Sequence, residues 1–201
     1  MVSACSYKNQ LDSNYYCKKL KFSCIKNNKI ALFKTSKGDF EVELFGKDTP
    51  VTVSNFIENI ENNIYENQKF YKIINFPQQK FLHSGVNPKN EFYIERNQTL
   101  NKATPSIPLE IKFQKENKPR YNYQIKNPSE SENLVNVFEI GSIAMVKSGQ
   151  NNASSTEFFF VTNKIPELDG RYSIFGKVIK GLDVLKKINK DDFIKEVKIS
   201  N

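Results

Sequence analysis

Along "IALFKTSKGDFEVELF", residues 30 to 45, apolar and polar positions alternate: Phe40, Val42 and Leu44 interleave with Glu41 and Glu43. A period of two predicts a strand with one dry and one wet face, and the Ser36-Lys37-Gly38-Asp39 stretch supplies a glycine for the turn, so the segment reads as a hairpin. The period then lengthens. Val53, Phe56, Ile57 and Ile60 fall at helical spacing, with Thr49 and Pro50 in the places of an N-cap and a first helical residue. "QKFYKII" and "FLHSGV" read as short strands joined by the polar "NFPQQK", and Gly85 closes the second. "SIPLEIKF" precedes a stretch from Gln114 to Asn133, rich in Lys, Asn, Glu and Pro and poor in aliphatics, which reads as an inserted loop. The chain ends as strand, short helix after Gly181, and strand ("RYSIFGKVIKGLDVLKKI", then "FIKEVKI"), with no internal repeat. Short strands, turn signals and only two helical patterns predict an all-β fold, closed or sandwiched.

Length and composition bound this picture without changing it. A chain of 201 residues, 38% hydrophobic and 26% charged, can bury a core of its own and fits one domain plus a tail. No apolar run approaches the roughly 20 residues of a membrane helix. The net charge of +8 is unevenly spread: residues 1–29 hold six lysines against the single Asp12, which leaves +3 for the rest. The body is therefore nearly neutral, no zinc-finger, RRM or helix-turn-helix signature is present, and nucleic-acid binding is not expected. Residues 1–28 read as a polar basic tail, and residues 29–201 as the domain, with its insertion around 114–133.

All three cysteines, Cys5, Cys17 and Cys24, lie in that tail, far in sequence from His83, the sole histidine, so a zinc site is not expected. Cys17 and Cys24 are placed to pair in an oxidising compartment. "VSAC" at the start matches the small-residue pattern before a lipid-modified cysteine, although the charged and apolar parts of a signal peptide are missing. Two readings follow: a cytoplasmic protein, or one exported and tethered to a membrane through Cys5.

"GDFEVELFGKDTPVTVSNF", "FYKII", "FLHSGV", "GSIAMVKSG", "TEFFFVT" and "ELDGRYSIFGKVIKGLDVLKKI" occur in the order and near the spacing found in cyclophilins, and the chain resembles that family over about residues 30 to 198. The resemblance implies a closed eight-stranded antiparallel barrel capped by two helices. It implies a peptidyl-prolyl cis-trans isomerase acting on X-Pro bonds of peptides and unfolded proteins, as a monomer with no cofactor. In such a site an apolar cup holds the proline ring and a cation favours the twisted amide.

Carried over residue by residue, the resemblance puts Lys72 where the family has its catalytic arginine, within "FYK" for the family's "FHR". Phe81, Leu82 and Ser84 fall on the family's "FMIQGG", with Ser84 replacing a glutamine and His83 at a position facing the barrel. The connection between these two segments is about four residues longer than in the family. Val146, Lys147 and Ser148 fall on the strand that pairs with the peptide, and Glu157 and Phe159 on a glutamine and the second pocket phenylalanine. Leu168 completes the cup, Glu167 replaces a tryptophan, which predicts weak cyclosporin binding, and Tyr172 matches a histidine that is tyrosine in several bacterial members. The apolar cup of Phe81, Leu82, Phe159 and Leu168 is thus kept, while Lys72, Ser84 and Glu157 rewrite the polar set. Glu157 is expected to pair with Lys72 across the groove. Taken alone, Phe81, Phe159 and Leu168 read as core residues, Lys72 as a surface lysine and Glu157 as a solvated strand residue. A slow isomerase, bacterial in style, and a proline-peptide binding module with little catalysis both remain open.

Overall fold

The computed structural model describes residues 12–76, 79–86 and 106–200. Cys5, on which the reading of a membrane tether rests, lies outside them. The N-terminal hairpin forms as its alternation predicts: β1 (Lys29–Thr35) pairs antiparallel with β2 (Gly38–Leu44) from Lys29 opposite Leu44 to Thr35 opposite Gly38. Gly38 sits at φ +123°, a conformation that side-chain-bearing residues rarely adopt, which is why the two-residue turn ends on glycine. The dry face contributes Phe33 and Phe40, stacked with ring centroids 4.9 Å apart.

Helix α2 (Pro50–Glu61) follows, after the short α1 (Ser13–Lys19) of the tail. Its apolar stripe of Val53, Phe56, Ile57 and Ile60 packs on the sheet, and Phe56 touches the rings of Phe33, Phe158, Phe175 and Tyr65. Asn55 and Asn59 each donate a side-chain N–H to the Ser155 carbonyl, at 2.6 and 2.7 Å, which seats the helix across the strands at its polar edge as well. Thr49 does precede the helix, but its hydroxyl donates to the Phe45 carbonyl and does not cap it. The cap comes from elsewhere in the chain. The buried Glu110 carboxylate accepts from the amides of Val51 (3.0 Å) and Thr52 (2.6 Å) and from the Thr52 hydroxyl (2.6 Å).

The remaining strands are β3 (Lys72–Phe76), β4 (Gln79–Ser84), β5 (Ser106–Pro108), β6 (Glu110–Ile111), β7 (Arg120–Tyr121), β8 (Ser142–Lys147), β9 (Asn152–Val161), β10 (Ile174–Lys180) and β11 (Ile194–Ser200), with α3 (Leu182–Lys187) before the last. The main sheet runs β11-β1-β2-β10-β8-β9-β4-β3, with β5 added on β9. Its inner face closes on a core of Phe33, Phe40, Phe56, Tyr65, Leu82, Phe158, Phe160 and Phe175.

The expectation of a closed barrel is corrected here: the curled sheet forms a half-barrel that is open. Its end strands β11 and β3 share no ladder. The gap is spanned just before β3 by one isolated bridge between Lys69 and Phe193 and by bonds from Phe70 N to Asp192 O (2.7 Å) and Ile194 N to Gln68 O (2.9 Å). Residues 62–67 form a run of turns, and β3 begins only at Lys72, so too little extended chain faces β11 to build a ladder.

Both the insertion and the described part of the tail are packed on the rest of the chain. The 114–133 insertion is irregular, but it folds on a small core of Leu109, Ile111, Phe113 and Leu134, packed by Tyr123 and Ile125. Arg120 stacks over Phe113 and Tyr123, at 4.2 and 4.8 Å from the ring centroids, and pairs with Glu116. Residues 12–28 of the tail are anchored. Cys17 and Cys24 are joined by a disulfide, Tyr16 and Cys17 are buried against Val51 of α2, and the Ile25 amide donates to the Ser54 hydroxyl at 2.7 Å.

Candidate active site

Pairing in the second half of the sheet lines up one row of side chains across four strands. Lys72 on β3 stands opposite His83 on β4, His83 opposite Phe159 on β9, and Phe159 opposite Ala144 on β8. Two residues along, Ile74, Phe81 and Val161 form a second row on the same face. The intervening row of Ile73, Leu82, Phe160 and Ile143 points the other way, into the main core, because successive strand residues alternate faces. The outer rows floor a groove of about 350 Å³ lined by Lys72, Ile74, Phe81, His83, Val146, Lys147, Phe159, Leu168 and Tyr172.

Phe159 is the centre of the floor. Its ring lies 6.0 Å from that of Phe81, stacks on His83 at 5.3 Å, and meets Tyr172 edge-on at 5.2 Å. Beneath it Phe138 stacks at 5.8 Å, so the floor is a fixed aromatic layer. Leu168 comes from a 3₁₀ turn, Pro166–Leu168. The next residue, Asp169, accepts a 2.6 Å bond from the Phe138 amide, which ties the turn that carries Leu168 to the aromatic layer.

The polar rim is cationic. Lys72 is exposed at the β3 edge. Lys147 lies 5.5 Å from the centre of the Tyr172 ring and donates to the Gln124 side-chain oxygen at 2.6 Å. Burial first, and then the nearby Lys72 charge, push the His83 imidazole down to about 4, so it is neutral near pH 7. Glu157 lies two residues before Phe159 on the same face of β9. Its carboxylate accepts the Tyr71 hydroxyl at 3.0 Å, and burial raises its pKa.

Of the residues expected at the site, Lys72, Phe81, Val146, Lys147, Phe159, Leu168 and Tyr172 line the groove. Leu82 does not: it is fully buried in the main core, on the opposite face from its neighbour Phe81. Ser84 faces inward too, and its hydroxyl donates to the Lys69 carbonyl at 3.1 Å. Ser148 is outside the lining, and its amide is committed to the Asn152 carbonyl in the β8–β9 turn. Glu157 takes Tyr71, not Lys72, as its partner. His83, expected to face the barrel, faces the groove. Ile74, Phe138 and Asp169 were not singled out from the sequence. Alternation counted outward from Phe81 and from Lys72 picks out His83 and Ile74, whereas no local pattern marks Phe138, in the loop before β8, or Asp169, at the end of the turn that carries Leu168.

A family model described as cyclophilin type peptidyl-prolyl cis-trans isomerase/CLD matches residues 30–201. A peptidyl-prolyl cis-trans isomerase of Helicobacter pylori is 30% identical over 173 residues, covering 85% of this chain and 86% of the relative. The isomerase CYP18-2 of Arabidopsis thaliana is 30% identical over 172 residues, covering 83% and 87%. A cyclophilin-type isomerase of Cryptosporidium parvum shares the fold, with a TM-score of 0.59 at 21% identity over 87% of this chain and 99% of that one. A match over nearly the whole described domain, on a half-barrel with an aromatic groove beside a cation, makes this chain a member of the cyclophilin-type peptidyl-prolyl cis-trans isomerase family.

Proposed function

We propose that X-Pro isomerisation takes place in this groove, with the proline ring on the floor of Phe81, Phe159, Leu168 and Tyr172 and with Lys72 as the cation beside the prolyl nitrogen. The observation that carries the reading is the juxtaposition of a fixed aromatic floor with an ammonium on the same row, two strands from Phe159. The barrier to rotation, about 18–20 kcal/mol, comes from amide resonance. A donor to the prolyl nitrogen favours its pyramidal form, in which that resonance is lost, and no bond to the protein has to form. A lysine supplies the charge without the planar fork of an arginine, which supports a slower enzyme.

The test is turnover of an X-Pro peptide, measured with peptide affinity, in the wild-type chain and in Lys72→Arg and Lys72→Ala. Lys72→Arg is expected to raise the rate. Lys72→Ala is expected to lower it roughly 10- to 100-fold, the worth of one charge-assisted hydrogen bond at the transition state, with affinity changed far less. Equal turnover in all three would remove Lys72 from the chemistry. Binding without turnover in any of them would make the chain a proline-peptide binding module.

A further inference from the structure

Among the described residues, the groove is lined by two lysines and by no carboxylate. The carboxylates nearest in the chain are otherwise engaged or turned away: Glu157 holds the Tyr71 hydroxyl, Asp169 is buried on the Phe138 amide, and Glu167 is exposed on the 3₁₀ turn outside the lining. Lys147 is fixed by a neutral partner, Gln124, and by the face of Tyr172, so nothing in its bonded surroundings cancels its charge. Arg171, next to Tyr172, adds a second positive charge that acts on Lys147.

The two lysines flank the floor. Lys72 stands two strands from Phe159, about 10 Å at ordinary strand spacing. Lys147 stands on the neighbouring strand on the other side, three residues beyond Ala144, the partner of Phe159, which again is about 10 Å along the sheet. An extended peptide advances about 3.3–3.6 Å per residue, and a lysine stem covers about half of such a gap. With a proline over Phe159 and Lys72 at its nitrogen, the Lys147 ammonium therefore meets a side chain one or two positions away.

Resting on the isomerase reading of the groove, we propose that it selects prolines flanked within two positions by a carboxylate side chain, with Lys147 as the specificity-determining residue and Lys72 adding to the field. Partly exposed ion pairs of this kind change affinity by a few-fold, and they act on selection more than on total binding.

The experiment measures cis-trans exchange by NMR in peptides Ala-Xaa-Pro-Yyy-Ala, with Glu, Ala or Lys placed before or after proline. For the wild type, kcat/KM for a Glu peptide is expected to exceed that of the all-Ala peptide about three- to tenfold at low salt. The ratio should shrink toward one near 0.5 M salt, as screening demands, and the Lys peptide should fall below Ala. Lys147→Gln should reduce the Glu-to-Ala ratio and Lys147→Glu should invert it. A wild-type ratio of one, or a ratio indifferent to both Lys147 variants, overturns the proposal while leaving the isomerase reading intact. If no peptide exchanges faster, the isomerase reading fails, and calorimetric affinities of the same peptides decide the preference by the same ratio.

Discussion

His83 sits between two pulls that set its charge. Its imidazole is stacked on Phe159 and most of it is withdrawn from water, and Lys72 stands opposite it on the next strand, so protonation would bury one cation beside another. Both effects move its pKa down from 6.5, to about 4. A group depressed in the folded state favours folding above its unfolded pKa, and that contribution is lost as pH falls through the folded value, here between about 6.5 and 4. Being the sole histidine, its ring-proton resonance is unambiguous. It should titrate with a midpoint near 4, and catalysis should show no inflection near 6.5. A midpoint at or above 6.5 would mean that the ring is solvated and points away from Phe159. This residue also shows how far a local reading reaches. The strand "FLHSG" was legible, and the resemblance put both Phe81 and Leu82 in the cup, but Leu82 belongs to the other face by the period of two. Matching motif letters alone assigns both to one pocket. Applying alternation assigns Phe81 and His83 outward, and Leu82 and Ser84 inward, as found.

At the scale of elements, helix α2 depends on a residue far from it in sequence. Its first turn has no side-chain cap of its own, and the amides of Val51 and Thr52 would be buried without partners if Glu110 were absent. Burial raises the Glu110 carboxyl to about 7, while the three bonds from Val51 and Thr52 pull the other way, as the positive end of a helix also does. Glu110→Ala leaves two buried amides and a hydroxyl unsatisfied and opens a space beneath the helix, so it should cost about 2–4 kcal/mol in denaturant unfolding. Thr49→Ala, which removes only a bond to the Phe45 carbonyl, should cost about 1 kcal/mol or less. Equal losses would mean that Thr49 shares the capping. The helix itself was legible from Val53, Phe56, Ile57 and Ile60, because amphipathic spacing is a local signal. Its cap was not legible, since a carboxylate 58 residues away carries no mark of its partner. The aromatic residues Phe113, Tyr121 and Tyr123 were available as signs that the 114–133 insertion folds, and the count of aliphatics passed over them.

Over the whole molecule, the seam and the tail are where composition misleads. The two end strands of the sheet could be placed from sequence, but whether they meet depends on how much chain the preceding turns consume, which a pattern of hydrophobic residues does not contain. The tail is a sharper case. Its lysines imply an arm in water, and yet Tyr16 and Cys17 are buried, Asn122 donates to the Tyr16 hydroxyl at 2.8 Å, and Val51 is wholly covered. Two aromatic or thiol positions one residue apart in a helix turn, among charges, are too sparse a signal for a buried stripe. Removing residues 1–28 uncovers Val51 and leaves Ser54 and Asn122 without these partners. On the order of 100 Å² of apolar surface at ~25 cal/mol per Å², with the lost bonds, amounts to about 3 kcal/mol. For a domain of this size that corresponds to a fall in Tm of roughly 6–12 °C. Cys17→Ser with Cys24→Ser should give part of it, since closing so short a loop contributes about 2 kcal/mol. None of the described groove-lining residues belongs to the described part of the tail or to the surfaces it covers, so turnover at 25 °C should stay within a factor of two in both variants. A truncated chain with unchanged Tm would return residues 12–28 to the status of a solvated arm, and one that kept its Tm but lost turnover would place the tail in contact with the groove.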